Sequence, residues 1–245
     1  MIAGVGTAIN GAAILVGTTV GVLFGGHLSD RARNTVTDGL GLVVGVAAVE
    51  SAISIADPSL IHAVGKGWPT LIVLLALVIG GVIGSALKIE ERLETLGASL
   101  QRRFSKESES TFVEGFVVAS LVFCVGPLAI LGAISDGLGT GIDQLVLKST
   151  LDLIASMAFA SALGWGVGLS VVPVMIYQGA WTLVGVFAGN TMSTYAIAAM
   201  TATGGLLIMA IALRLLKIRE IAIGDLLPAI IVAPLIAGLV VTIRG

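Results

Sequence analysis

The sequence predicts an all-α protein folded as a polytopic transmembrane helical bundle of about eight spans. Three observations carry that prediction. Hydrophobic residues make up 56% of the 245 positions, charged residues only 11%, and 33 positions are glycine. A water-soluble domain carries about 25% charged residues, so this chain lacks the polar side chains to cover a globular surface. Glycine is frequent in membrane helices, and only helices and closed barrels satisfy their backbone groups in lipid.

The same counts exclude several classes of function. A formal charge of −2, with no basic run, gives no nucleic-acid footprint. The single cysteine, Cys124, rules out an intrachain disulfide framework and any multi-cysteine metal site. The two histidines, His27 and His62, are too far apart in sequence to suggest zinc, and no cofactor or metal is expected. The glycine-rich stretch SDGLGTGIDQ (135–144) lacks the Lys and Ser/Thr context of a phosphate loop. It reads as an extracellular turn whose Asp136 and Asp143 attract cations to an outer vestibule. Without a nucleotide motif, this chain alone does not drive transport with ATP. Without a nucleophile–base or metal-ligand constellation, it reads as no enzyme.

A spanning helix needs about 20 mostly apolar residues. Eight stretches qualify: 3–25, 39–56, 68–87, 112–134, 145–164, 166–188, 194–216 and 221–242. Seven spans result if one segment is re-entrant. Only Gly164-Trp165-Gly166 separates the fifth span from the sixth, which requires a tight helical hairpin. The first span has no basic leader and is followed at once by others, which argues against a cleaved signal peptide.

Orientation follows from lysine and arginine. Arg31, Arg33, Lys88, Arg92, Arg102, Arg103, Lys106, Arg214, Lys217 and Arg219 fall on one side of the eight-span arrangement, ten of the 13 basic residues. That side is read as cytoplasmic, which leaves both termini extracytoplasmic. The longest cytoplasmic connection, 88–111, places Ile89, Leu93, Leu96, Leu100 and Phe104 on one helical stripe among basic residues. It reads as an amphipathic helix along the inner headgroups, either a cap between spans or a partner-binding element.

Eight spans with both termini on one side permit a parallel four-plus-four repeat, with halves 1–134 and 145–245 forming a single transmembrane domain. GGVIGSALKIEERLETL in the third span parallels GGLLIMAIALRLLKIREIAI in the seventh. VGPLAILGA parallels VAPLIAGLV, and GLGLVVGVAAVE parallels GVGLSVVPVMIYQ. Transporter folds are commonly built from such repeats.

Ionisable and amide side chains inside spans are costly toward lipid and point to a site. Asn10, Glu50, Lys148, Ser149, Asp152, Tyr177 and Gln178 come from four different spans and fall at comparable depth in the outer half of the membrane. They are the candidate substrate- or ion-binding residues. Lys148 and Asp152, spaced i, i+4, share a helical face and can pair. They form either a self-neutralising structural pair or a binding pair. Glu50 either lines an ion path or pairs structurally, and Asn10 and Gln178 either contact solute or bridge helices. Glu114, near the inner end of the fourth span, reads as a cap or interface residue. Cys124, Gly126 and Pro127 mark a helix break near the site, because proline removes a backbone donor and clashes with the preceding turn. Pro173, Pro228 and Pro234 interrupt the sixth and eighth spans similarly. Gly17/Gly21/Gly25, Gly41/Gly45 and Gly80/Gly84 give small-xxx-small steps for close helix contact, within the bundle or across a homo-oligomer face.

Longer stretches are more specific. FVEGFVVASLVFCVGPLAILGAISDGL (112–138), LKSTLDLIASMAFASALGWGVG (147–168), YQG (177–179), DGLGLVVG (38–45) and IEERLE (89–94) resemble the domain-of-unknown-function family 554 of bacterial inner-membrane proteins. The resemblance covers nearly the whole chain. It implies a multi-pass inner-membrane protein, often described as a transporter, with no catalytic assignment.

Two functions follow as expectations. The first is a transporter or channel for a small solute or ion, with the lipid bilayer and that solute as its partners. The alternative is a non-transporting scaffold or regulatory protein acting through the 88–111 helix.

Overall fold

The computed structural model describes residues 3–25, 29–92, 95, 111–124, 127–188 and 193–244. Every regular element among them is helical: α1 Val5–Gly25, α2 Asp30–Ala52 with a 3-10 turn Ile53–Ala56, α3 Pro58–Val64, α4 Trp68–Ala86, α5 Thr111–Cys124, α6 Pro127–Leu138, α7 Asp143–Leu163, α8 Gly166–Leu169, α9 Val171–Ala188, α10 Thr194–Leu215, α11 Ile223–Leu226 and α12 Pro228–Arg244. Seven helical stretches are long and apolar enough to cross a membrane, and the bent pair α5–α6 makes an eighth if it counts as one span. The amphipathic helix expected over 88–111 falls largely outside the described residues.

The chain packs as two compact units, residues 1–40 with 94–191 and residues 41–93 with 192–245. Each unit draws spans from both sequence halves, 1–134 and 145–245.

In the first unit α1 and α7 run parallel in close contact. A Cβ on Gly17 would collide with the Leu153 carbonyl, one on Gly21 with the Met157 carbonyl, and one on Gly25 with Ser161. The glycine stripe read from the sequence is therefore filled within the unit. Helix α9 runs antiparallel to α1: Gly168 meets Thr18, Gly11 meets Met175, and Thr7 meets Thr182. The start of α5 packs on the α7–α9 hairpin, where Gly166 lies against the Phe112 carbonyl. The end of α6 packs at the opposite end of the unit, where Asp136 reaches Gly6 and Gly137 meets Thr182. Although α5 and α6 meet at 61°, the pair passes from one end of the unit to the other. Counted as one bent span, the pair brings the described residues from seven spanning helices to eight.

In the second unit the part of α2 from Gly41 runs antiparallel to α10, with Gly41 on Leu216, Gly45 on Ala212 and Ala52 on Gly205. Helix α4 runs antiparallel to α11–α12, with Gly80 against Ala229 and Gly84 against the Asp225 carbonyl. A core of Leu60, Val64, Ile72, Ala76, Ala199, Ala229, Ala233 and Ala237 fills the unit. At one end the Glu90 carboxylate accepts the Gly224 amide at 2.6 Å and Arg214 Nη1 at 3.1 Å, while the Glu90 amide donates to Asp225 Oδ1 at 3.0 Å. This joins the start of the 88–111 connection to the start of α11. At the other end the Arg244 guanidinium donates to the Val64 carbonyl.

Two helical pieces exceed the sequence expectation. Helix α2 starts at Asp30, well before the apolar run at 39, because a polar extension needs no burial when Ser29 Oγ accepts the Ala32 amide at 3.3 Å as an N-terminal cap. Helix α3 occupies the connection between the second and third apolar stretches: Asp57 Oδ1 accepts the Ser59 amide at 2.8 Å and Pro58 fills the first helical position. The segment 135–144 is also only partly a turn, since α6 continues to Leu138 and α7 begins at Asp143.

Prolines act as the sequence indicates, with one exception. Pro127 and Pro228 open helices after breaks. The irregularity at Ser170 falls between α8 and α9, where Pro173 cannot donate to the Leu169 carbonyl four residues back. Pro234 alone lies inside a continuous helix.

Candidate functional site

The first unit turns three polar helix faces inward. On α1 they are Thr7, Asn10 and Thr18, which with Ile14 keep spacings of three and four; on α7 they are Ser149, Asp152 and Ser156. Val174, Gln178 and Thr182 on α9 continue the line of Ser170. All of these side chains are buried. A helix repeats every 3.6 residues, so such spacings hold one face against the neighbours.

At the centre Lys148 Nζ meets Asp152 Oδ2 at 2.5 Å, with 8% and 9% of the two side chains exposed. The ammonium also stands 5.9 Å from the centre of the Phe123 ring, which packs edge-on against Phe159. The side chain of Asn10 lies beside the Asp152 carboxylate. The sulfur of Cys124, the last residue of α5, lies within the electrostatic reach of both Lys148 and Asp152, and Tyr177 within that of Cys124. The break between α5 and α6 thus adjoins the charged pair. Tyr177 stacks edge-on against Trp181.

Hydroxyls and amides fare differently here. Ser149, Ser156 and Thr182 donate to the carbonyls of Leu145, Leu153 and Gln178 on their own helices, a local solution open to short hydroxyl side chains. Asn10 and Gln178 are fully buried; the side-chain amide of Gln178 has no hydrogen-bond partner, and the amide of Asn10 has only the Asp152 carboxylate beside it, which leaves its Oδ1 without a donor. Gln178 lies on α9 between Met175, which meets Gly11, and Thr182, which meets Thr7 at 3.4 Å between hydroxyl oxygens. That places it at the level of Asn10. Buried polar atoms are almost always paired with protein or water, which makes the two amide oxygens, at one level and without a donor, the candidate binding groups.

The structure therefore gathers Asn10, Lys148, Ser149, Asp152, Tyr177 and Gln178, with Cys124 at the break, in one unit. Pro127 opens α6, and Gly126 lies outside the described residues. Glu50 belongs to the second unit, on α2, where it is exposed. Glu114 stands in the first turn of α5, where the helix dipole favours a carboxylate. Among the described residues no three His, Cys, Asp or Glu side chains converge as a metal-binding set.

Asp136 does not face an outer vestibule. It is buried at the end of α6, and its Oδ2 accepts the amides of Gly4 and Gly6 at 3.2 and 3.0 Å, capping α1 from another helix; its Oδ1 has no partner. The signal was available: Ala129, Ala133 and Asp136 keep the helical spacing of a buried face. Thr7, Thr18, Ser170 and Thr182 also went unremarked, because hydroxyls are common in membrane helices. In the second unit a cavity of about 330 Å³ is lined by apolar side chains, among them Ala48, Ala52, Ile53, Leu206 and Met209, and offers a solute no polar anchor.

This fold and this site define a polytopic helical membrane protein with a polar core. The chain belongs to the family described as "Protein of unknown function (DUF554)", whose profile matches residues 5–238. It is 28% identical over 231 residues to the uncharacterized membrane protein YdfK of Bacillus subtilis (strain 168), covering 94% of both chains. It is 29% identical over 238 residues to the uncharacterized protein YqgA of Escherichia coli (strain K12), again covering 94% of both. No solved structure gives a significant match.

Proposed function

We propose that the chain is a multi-pass protein of the bacterial cell membrane that moves a small solute or ion through the polar core of its first unit, without ATP hydrolysis and without catalysis. The observation that carries this reading is the buried Lys148–Asp152 pair with the Asn10 amide beside it, the unpartnered amide of Gln178 at the level of Asn10, and the bend between α5 and α6 next to the pair. Ionisable groups at membrane depth are costly and mark transport paths. Broken helices free backbone groups where they line such a path.

At one end of the second unit Arg214 pairs with Glu90 and Lys88 with Glu91. The basic residues Lys88, Arg92, Arg214, Lys217 and Arg219 at and just past the ends of α4 and α10 support the cytoplasmic assignment of that end and, through the order of spans, the extracytoplasmic placement of both termini. Leu87-Lys88-Ile89 and Leu216-Lys217-Ile218 end α4 and α10 with each lysine in the left-handed region, at φ 53° and 56°. That shared turn supports the four-plus-four repeat. The glycine steps are occupied within the units, so a homo-oligomer would use another face. The scaffold alternative rests on the 88–111 helix, most of which lies outside the described residues.

A flux screen in proteoliposomes over monovalent cations, divalent cations and small zwitterions tests the reading. Transport of one class by the wild type, abolished in Asp152→Asn, is expected. Absence of flux for every class would overturn it.

A further inference from the structure

We propose that Lys148 is a tethered cation that keeps a monovalent-cation site at Asp152 closed, and that the incoming cation replaces it in exchange for one proton. This deepens the transport reading and rests on it.

The ligand set argues for the cation class. The Asp152 carboxylate, Asn10 Oδ1 and Gln178 Oε1 are hard oxygen acceptors. The two amide oxygens are fully buried without a partner, and Asn10 adjoins the carboxylate. Oxygen ligands suit alkali cations, whereas calcium or magnesium sites draw on more carboxylate charge and water than one carboxylate provides. The carboxylate is held at 2.5 Å by the ammonium from its own helix, so an entering cation competes with Lys148 rather than filling an empty place.

Charge balance argues for the proton. The pair is neutral as it stands. A cation added at Asp152 leaves one uncompensated positive charge among buried groups, an arrangement that a low-dielectric interior strongly disfavours. Loss of one proton from the displaced Lys148 restores neutrality: the N–H bond breaks, the amine keeps the electron pair, and the proton leaves to solvent. The neutral amine then rests near the Phe123 ring. The other titratable groups on elements packed against α7 are Glu114 and Cys124 on α5 and Asp136 on α6, with Tyr177 reaching Cys124 from α9. Glu114 sits at the opposite end of the unit, where its neighbour Gly115 meets Leu163. Asp136 is engaged by the α1 amides. Helices α1 and α8 contain no ionisable side chain.

The test uses the purified full-length chain in detergent, weakly buffered with a pH-sensitive dye. LiCl, NaCl, KCl or RbCl is added against choline chloride at equal ionic strength. The wild type is expected to release about one proton per chain as one of these cations saturates, by the linkage between ligand and proton, and none with choline. Lys148→Met should bind the same cation, read by a rise in thermal midpoint, with no proton release. Asp152→Asn should show neither. If Lys148→Met is recovered folded only in that cation's presence, the rescue itself supports the site. The paired variant Lys148→Met/Asp152→Asn, which leaves no buried charge, should fold and bind nothing. Proton release by Lys148→Met equal to that of the wild type, cation binding by the paired variant, or no release from the wild type with any of the four cations would overturn the proposal. Flux in proteoliposomes without proton release would remove the tethered lysine and leave the transport reading standing. Release without flux would keep the site and remove that reading.

Discussion

The Asp136 carboxylate closes the N-terminus of α1, a helix 130 positions earlier in the chain, by accepting the Gly4 and Gly6 amides through one oxygen. The first four amides of a helix have no partner within it. A carboxylate there also meets the positive end of the helix dipole. Sequence places Asp136 in the turn after the fourth span and Gly6 in the first span, so this contact ties together the end of the unit where both lie.

Asp136→Ala should therefore lower stability by about 1–2 kcal/mol, the upper range for a lost N-cap. Asp136→Asn should cost less, because an amide oxygen still accepts. Thermal unfolding in detergent checks this, and an alanine variant as stable as the wild type would refute the cap.

Removing one partner of the central pair should cost far more than removing both. Lys148→Met alone, assayed in choline chloride, leaves a buried carboxylate and should lose about 3–5 kcal/mol. Lys148→Met/Asp152→Asn should lie within about 1 kcal/mol of the wild type by the same reasoning. Equal losses in the single and paired variants would show that the two charges do not interact.

The parallel contact of α1 and α7 depends on glycine at the touching positions. Gly21→Ala directs a methyl into the Met157 carbonyl, whereas a methyl on Gly238 meets open space. Gly21→Ala should unfold at a markedly lower temperature. Gly238→Ala should gain up to about 1 kcal/mol from helix propensity. The reverse order in a melting experiment would refute the packing.

Lys217 holds φ at 56°, a region that costs an L side chain about 1–2 kcal/mol and glycine almost nothing. Lys217→Gly should raise the melting temperature, since glycine is the usual residue just past a helix end. A lowered midpoint would mean that the lysine side chain makes a contact worth more than the strain.

Much of this molecule was legible because lipid imposes simple rules. Apolar length located the seven spanning helices and the bent pair α5–α6, and Pro127 gave the position of the break, because a missing amide has the same effect in any helix. The i, i+4 spacing gave the Lys148–Asp152 pair outright. What stayed hidden depends on which helices touch. Nothing in Asp136 or Gly6 names the other, and the glycines of α1 fit many partners. The grouping of spans into units was likewise invisible, since apolar faces carry little pairing code. Glu50 shows the same limit: its depth suggested company with Asp152, yet the structure describes it as an exposed residue of the other unit. The start of α2 was missed because hydropathy is silent about helices that continue into water.

The pairing of α1 with α7 has a consequence for biosynthesis. The two touch at Gly25 and Ser161, so the surface of α1 that holds the glycines is made long before its partner exists. At about 5–20 residues per second, the ribosome needs on the order of ten seconds to reach the partner helix. During that interval α1 stands in the bilayer with Asn10 uncovered, and the chain emerging behind it must leave a berth beside α1 vacant. Assembly of this unit is therefore not a simple procession of hairpins: α1 meets α7 only once the chain has passed residue 143.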